Sequence, residues 1–558
     1  MLEAKNKILN KTTIIIAFLI VSLLVIIPLS MVLVRSFRID EKWSILIPFK
    51  LIVNTSILHV FLNSLLLGIL VVLLTSLIAF PLAFLMAKTD IGRNKWLDLV
   101  FIIPFMTPPY VGSMGWILFF QPRGFLDQLF PFFSFLRPYF FSLWGIVFIM
   151  SLYSFSFIYL MIKNTLLKIS SSLEEAGAVH GGSFWYRMKR IILPLVFSGY
   201  LMGALLIFIR AISEFGTPAT LGRRVGFYVL TTEINRYVSN WPIDFGRAAA
   251  ISSVLLGASM LIWYFQQLLS NKYSYSMVGG KGQGRIIYNL GKYRLLAWIY
   301  VILIIILSIV IPFGSIIVSS LMKLWGYGIK LNNFTLEYYF EIFNKGSLGN
   351  KALLTSIGMS LLAATIAMFL GTFLAIVIVR AKGLEKKIVD AASLISNTVP
   401  SIVIIVGLIL FWNAPWLKWT FYNTPLILAL TYIVLFLPYT VEYVKSSFQQ
   451  LDDSLIYAAR VSGANQFYTN RKIIFPLIKR GMLAGWIMTF IISIRELVGS
   501  LMIRPPGMET TSTFIYRQFE QGNSSLGMAM AVIAIIITII VLFIVKKIFK
   551  LDLIGDPY

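Results

Sequence analysis

The chain has 558 residues, of which 58% are hydrophobic, 15% aromatic and only 13% charged, and its mean hydropathy is +0.85. Soluble domains average about 25% charged residues, so this balance excludes an ordinary water-soluble fold and places the chain in a lipid bilayer. The net charge of +25 would suggest a nucleic-acid partner for a soluble protein, but the bases fall in short loops between apolar runs; that is the positive-inside pattern, and no nucleic acid is expected.

The first apolar run, Thr13 to Val34, follows Lys5, Lys7 and Lys11. It is longer than the core of a signal peptide and lacks a small-residue cleavage site, so it reads as a retained span. Further spans are expected near 57–87, 98–120, 141–161, 191–213, 246–268, 295–320, 351–379, 389–412, 425–444, 478–499 and 526–545. Lipid offers the backbone no hydrogen-bond partner, and the runs lack the alternation of a membrane barrel, so helices are expected throughout. The fold class is therefore an all-α membrane protein of about twelve transmembrane helices. An even number of crossings puts both termini on one face, and the larger share of Lys and Arg on that face makes it the cytoplasmic one. The opposite face also carries bases, among them Arg223, Arg224, Lys323 and Lys345.

The chain repeats itself. Ser172 to Leu195 matches Ser454 to Leu477 without a gap at an offset of 282, sharing Leu173/Leu455, Ala176/Ala458, Val179/Val461, Gly181/Gly463, Tyr186/Tyr468 and Pro194/Pro476 among others. Upstream, Ser64/Ser356, Ala83/Ala375, Asp98/Asp390 and Pro108/Pro400 correspond at an offset of 292. Downstream come Gly199/Gly481 and Glu214/Glu496, then Ile234/Ile515 and Arg236/Arg517 at 281. These pairs divide the chain into a first unit at 1–270, a linker at 271–294 and a second unit at 295–558. Six crossings per unit give both units the same sense, so the translocation path is expected between them. Gly279, Gly280, Lys281, Gly282, Gly284 and Arg285 make the linker read as a flexible cytoplasmic connector.

The repeated loop is polar and lies between spans. In its first copy, Ser171-Ser172-Leu173-Glu174-Glu175 holds two overlapping S-x-x-E patterns, which open a helix by reciprocal capping, and Gly181-Gly182 closes it. On this reading Glu174 and Glu175 are solvated caps. The basic turn with Arg187, Lys189 and Arg190 then leads to Pro194, where the chain re-enters the membrane. In the second copy Asp452, Asp453 and Ser454 are the capping candidates and Gly463 the stop.

This arrangement resembles the EAA loop of binding-protein-dependent ABC importer permeases of type I: E-A-A, three residues, G, nine residues, then I-x-L-P. Glu175-Ala176-Gly177, Gly181, Ile191, Leu193 and Pro194 fit at the right spacing, departing at Gly177. The second copy keeps Ala458-Ala459, Gly463, Ile473 and Pro476, with Tyr457 in place of the glutamate and Phe475 in place of the leucine. The resemblance covers nearly the whole chain and implies a fused, two-unit permease. It further implies that Glu175, Ala176, Gly181, Ala458, Ala459 and Gly463 couple to separate ATPase subunits, expected in two copies. An extracytoplasmic solute-binding protein is the other implied partner, and the cytoplasmic (inner) membrane of a bacterium or archaeon the implied location.

At the far ends of spans five and eleven lie Arg210 with Glu214 and Arg495 with Glu496. Ionisable residues at such depth face protein or a water-filled cavity, so these four are candidates for the pathway or its outer mouth. The other reading is a structural ion pair, because Arg210 and Glu214 are four apart on one helical face. The turn-rich segments that follow, Phe215-Gly216-Thr217-Pro218 and Arg504-Pro505-Pro506-Gly507, together with Ile234/Arg236 and Ile515/Arg517, resemble the ferric-iron importer group most closely. Related permeases for thiamine, phosphonate, polyamine or another small solute stay open as alternatives.

No cysteine is present, so disulfides, thiolate metal sites and cysteine nucleophiles are excluded, and His59 and His180 are a poor basis for a metal centre. No G-x-x-x-x-G-K-[ST] occurs. The chain is therefore expected to be a transport subunit and no enzyme, with no cofactor or metal of its own and with ATP hydrolysed by partner subunits. An ion-gradient-driven secondary transporter with two parallel six-span halves is the remaining alternative of another class.

Overall fold

The computed structural model describes residues 11–39, 42–272, 286–381 and 383–549. In the first half, α1 (Lys11–Ser36) and α2 (Thr55–Lys88) are followed by a bent pair, α3 (Trp96–Met106) and α4 (Pro109–Phe120). Then come α5 (Leu143–Lys168), the short α6 (Ser171–Val179), α7 (Phe184–Ser213), a helical turn at Pro218–Gly222, α8 (Leu230–Ser239) and α9 (Phe245–Lys272). The second half repeats the order with α10 (Gly291–Leu321), α11 (Leu348–Arg380), the bent pair α12 (Gly383–Thr398) and α13 (Ser401–Trp412), and α14 (Pro425–Gln449). It closes with α15 (Asp453–Val461), α16 (Asn470–Ser493), α17 (Val498–Ile503), α18 (Thr511–Glu520) and α19 (Ser524–Phe549).

Among the described residues ten helices are long and apolar enough to cross a membrane, or twelve if each bent pair counts as one span. The all-α membrane architecture is the one expected. Two of the spans differ from expectation, however: 98–120 and 389–412 are bent by 93° and 112° instead of running straight. The repeated prolines are the cause. Proline brings no N–H to the helical ladder and drives the residue before it out of the helical region. Thr107 is extended, with ψ of 137°, and Pro108 and Pro400 themselves have ψ of 129° and 132° before the second helix of each pair begins.

Packing gathers the described residues into two compact units that cut across the sequence halves. One draws on Met1–Lys50, Ile234–Leu256 and Thr335–Tyr558, the other on Leu51–Glu233 and Gly257–Phe334. Each half therefore lends its opening helix to the unit built mainly from the other half. In the first unit a Cβ on Gly407 of α13 would stand 2.6 Å from the carbonyl oxygen of Pro28 in α1. In the second, a Cβ on Gly115 of α4 would stand 2.5 Å from the carbonyl oxygen of Pro312 in α10. The two glycines are themselves repeat mates at an offset of 292. The units of packing thus exchange the first helices of the two sequence halves. Of the linker, the glycine-rich stretch lies outside the described residues.

Small residues carry the close helix contacts. Lipid tails are as apolar as leucine, so spans associate through tight packing more than through the hydrophobic effect. Along α11 the residues Ala363, Ala364, Ala367 and Ala375 are fully buried. The repetition extends to single bonds: Ser64 Oγ accepts the backbone N–H of Leu230 at 2.8 Å, and Ser356 Oγ accepts that of Thr511 at 2.7 Å.

Substituting Gly407 by Leu is expected to destabilise the solubilised protein by about 1–3 kcal/mol, the usual range for overpacking a tight contact. Gly358→Ala, on a part of α11 where an added Cβ meets nothing within 4 Å, is expected to be neutral or slightly stabilising. Thermal unfolding in detergent compares the two.

Candidate functional site

The repeated loops form helices outside the spans. In the first, Ser170 caps α6 by accepting the N–H of Ser172 at 3.3 Å, one residue earlier than the S-x-x-E patterns indicate. The helix ends in a Schellman turn: Gly182 N–H donates to Gly177 O at 2.9 Å and Gly181 N–H to Ala178 O at 2.9 Å. Gly181 has φ of +78°, a left-handed conformation that only glycine adopts cheaply. The second loop closes the same way, with Gly463 at φ +79° and Ala464 N–H donating to Ala459 O at 3.0 Å. Asp452 caps α15 by accepting the N–H of Ser454 at 2.8 Å, and that bond holds its carboxyl below the usual carboxylate range.

Of the candidate coupling residues, Glu175, Ala176 and Gly181 are exposed on α6 and its closing turn. Ala458 and Gly463 are exposed at the equivalent places and Ala459 is half-buried. The exposed set is wider than the motif. Leu173, Val179 and Tyr186 of the first loop and Leu455, Val461 and Tyr468 of the second are all exposed large apolar side chains, with Val179 at 84% and Val461 at 89%. Every one of them is a shared letter of the repeat.

Glu174 is not the solvated cap that its sequence context suggests. Its side chain is fully buried and ion-paired to Lys88, the last residue of α2, itself 2% exposed. A buried ammonium without a counter-charge is costly, so Glu174 turns inward and leaves Glu175 outside. The other carboxylate oxygen accepts the hydroxyl of Tyr288 at 2.8 Å. Burial and the bond to Glu174 push the Tyr288 phenol up to about 12. Tyr288 lies in the described end of the linker, and it is anchored. Its N–H donates to Lys88 O at 2.7 Å, its carbonyl accepts Asp90 N–H at 3.3 Å, and its ring packs against Phe84 and Phe184. The linker thus straps the base of the first loop. In the second loop Ile456 occupies the sequence position of Glu174, and Arg380, in the place of Lys88, donates to Asn470 Oδ1 at 3.4 Å. Nothing in the local sequence joins Lys88, Glu174 and Tyr288, since Lys88 and Tyr288 stand 86 and 114 residues from Glu174.

At the far ends of α7 and α16, Glu214 and Glu496 hold equivalent positions in their own units. Both oxygens of Glu214 accept the backbone N–H of Thr217, at 3.1 and 3.0 Å, capping the turn Pro218–Gly222. Glu496 accepts Gly499 N–H at 3.0 Å and Ser500 N–H at 3.1 Å, capping α17. The main-chain carbonyls are matched too: Thr231 donates to Glu214 O at 2.8 Å and Ser512 to Glu496 O at 2.5 Å. Arg210 lies over the rings of Phe157 and Phe105, at 4.3 and 5.8 Å, while Arg495 is half-buried beside Glu496.

The family of binding-protein-dependent transport system inner membrane components matches residues 79–325 and again 367–553. The chain belongs to this family. It is a fused permease carrying two copies of the family's domain, a multi-pass protein of the inner membrane and a component of a transport system. The ferric transport system permease protein FbpB of Actinobacillus pleuropneumoniae is 26% identical over 478 residues, covering 83% of this chain and 68% of that protein. A putative ferric transport system permease protein FbpB 1 of Haemophilus influenzae is 27% identical over 453 residues, covering 79% and 70%. The spermidine/putrescine transport system permease protein PotC of Escherichia coli is 28% identical over 230 residues, 41% of this permease and 85% of PotC.

Glu174→Gln would leave Lys88 buried without its counter-charge and is expected to destabilise the permease by about 3 kcal/mol. Combining it with Lys88→Met is expected to restore most of that loss. Tyr288→Phe removes one hydrogen bond and is expected to cost about 1 kcal/mol. Thermal unfolding measures all three, and trypsin cleavage at the linker is expected to quicken in Tyr288→Phe and Glu174→Gln.

Proposed function

We propose that this permease forms both halves of the pathway of an ATP-driven importer, with separate ATPase subunits seated on α6 and α15. The observation that carries this reading is the pair of loops that expose the same apolar side chains, Leu173, Val179 and Tyr186 against Leu455, Val461 and Tyr468. Apolar groups exposed in one place outside the spans signal a surface that a partner covers. One ATPase subunit per loop gives two copies. Glu175 at one socket and Tyr457 at the other make the two contacts chemically different. Both termini lie on the ATPase side, in the cytoplasm.

On the opposite face an extracytoplasmic binding protein delivers the solute. Ferric iron is the proposed cargo, on the strength of relatives whose names carry ferric transport and which align over most of the chain. The half-length likeness to a spermidine/putrescine permease supports a polyamine as the second reading. Glu214 and Glu496 sit at the outer mouth and act there by ordering the loops that follow them, since their carboxylates are taken up by backbone donors. A ligand shifts a two-state protein only through its differential affinity for the two states. The loaded binding protein and ATP therefore both favour the outward-open form, and hydrolysis by the partner subunits returns the permease to the inward-open one.

Ala176→Glu and Ala458→Glu place a charge where the partner would bury it without a mate, on helices whose own packing the change leaves alone. Each is expected to lower the amount of ATPase co-purifying with the permease at least tenfold while expression stays at the wild-type level. Undiminished co-purification from both variants would refute the docking surface. Uptake of ferric iron into liposomes that requires ATP, ATPase and loaded binding protein supports the cargo reading. Uptake by the chain alone under an ion gradient would overturn the ATP-driven one.

A further inference from the structure

An ion pair recurs in both halves at the root of the coupling loops. In one unit Lys163, on the last turns of α5, pairs with Asp98 in the first turn of α3. In the other, Lys445 on the last turns of α14 pairs with Asp390 of α12, at 2.7 and 2.8 Å to the two carboxylate oxygens. Lys163 and Lys445 are repeat mates at the offset of 282, Asp98 and Asp390 at 292. The pair has thus survived twice although the spacing between its members differs by ten residues.

Its position is what gives it meaning. α6 begins three residues after α5 ends, and α15 four residues after α14 ends. The lysines therefore stand on the stems that lead straight into the coupling helices, and the aspartates on the first members of the bent pairs. Two residues beyond each lysine the stem is gripped from another side. A Cβ on Gly199 of α7 would stand 2.3 Å from Thr165 Oγ1, and one on Gly481 of α16 would stand 2.3 Å from Ser447 Oγ. Thr165 and Ser447 are again mates at 282. Each stem is fixed to its re-entering helix by glycine contact and to its bent pair by charge. A charged side chain on a span is retained only where it finds a partner, and here the partner is always the bent pair.

We propose that Asp98, Lys163, Asp390 and Lys445 are positioning residues that pass movement of the coupling helices into the bent pairs α3–α4 and α12–α13. The inference rests on the ATPase-driven reading above. An ion pair suits this task because it transmits displacement along one line while letting the helices tilt about it. The two joints differ in their surroundings. Asp98 also accepts the hydroxyl of Tyr159, whereas Val441 stands at that place in the second half and Glu442 lies beside Lys445.

The test uses the full complex of permease, ATPase and binding protein loaded with ferric iron in liposomes, reading ferric iron uptake and ATP hydrolysis in the same vesicles. Asp98→Asn, Lys163→Gln, Asp390→Asn and Lys445→Gln are expected to lower the uptake per ATP hydrolysed at least fivefold, with ATPase co-purification unchanged. The exchanges Asp98→Lys with Lys163→Asp and Asp390→Lys with Lys445→Asp are expected to recover at least half of it. A merely structural pair would lower protein yield and both rates together, and an unchanged uptake-to-hydrolysis ratio in the single variants overturns the proposal. Asp98 carries a second bond, so Lys445→Gln decides the matter if Asp98→Asn cannot be purified. Should the wild-type permease fail to retain its ATPase, the ATP-driven reading itself falls, which is a different result from an unchanged ratio.

Discussion

A peptide group in hydrocarbon has no water to bond and must find its partner within the protein, and this constraint shapes everything else in the permease. It makes every crossing helical and leaves only special places for irregular backbone. Those places are informative. The breaks at Thr107–Pro109 and Val399–Ser401 interrupt spans, and each is made by a proline that recurs in the other half. Where α7 and α16 end, the next turn lacks partners for its first amides, and a glutamate from the helix end supplies them in both halves. Several of the buried polar contacts of this chain are therefore placed in the same way in both halves.

The repetition is nevertheless imperfect where the two repeated loops meet the body. The first is strapped by Tyr288 and by a buried Lys88–Glu174 pair, whereas in the second Ile456 stands at the place of Glu174 and Arg380 at that of Lys88. Only the first loop presents the motif glutamate, at Glu175, and the second presents Tyr457. A duplicated pair of loops has thus kept its apolar contact residues and let its charged ones diverge. On the proposed reading, contact residues face a partner that constrains them, and the residues behind them need only hold the loop still by whatever means the local sequence allows.

How much could be read from the letters follows from distance along the chain. Gly181 and Gly463 were legible because a helix stop is a local matter, and their positive φ values are what the glycine-stop reading requires. The crossings were legible for the same reason. Asp98 and Asp390 were visible as repeat mates, but their meaning was hidden, since the lysines that hold them lie 65 and 55 residues away and at another offset. Glu174 was misread because its partners are 86 and 114 residues distant. A serine three residues before a glutamate is a sound cap signal only when no buried cation competes for the carboxylate. The bends lie at prolines that recur at the same place in both halves, Pro108 and Pro400. The exchange of first helices left no signature in either repeat, because both opening helices are simply apolar.

That exchange bears on how the protein is made. The unit built mainly from the first half cannot close until α10 has emerged from the ribosome, and α1 must wait in the membrane for α13, nearly four hundred positions behind it. An opening helix left so long among lipids must be at ease there on its own, and α1 and α10 are indeed among the most apolar spans of the chain. The two units are therefore completed at different times: the one built mainly from the first half once residues up to Phe334 have been made, the other only when the last helices of the chain have followed.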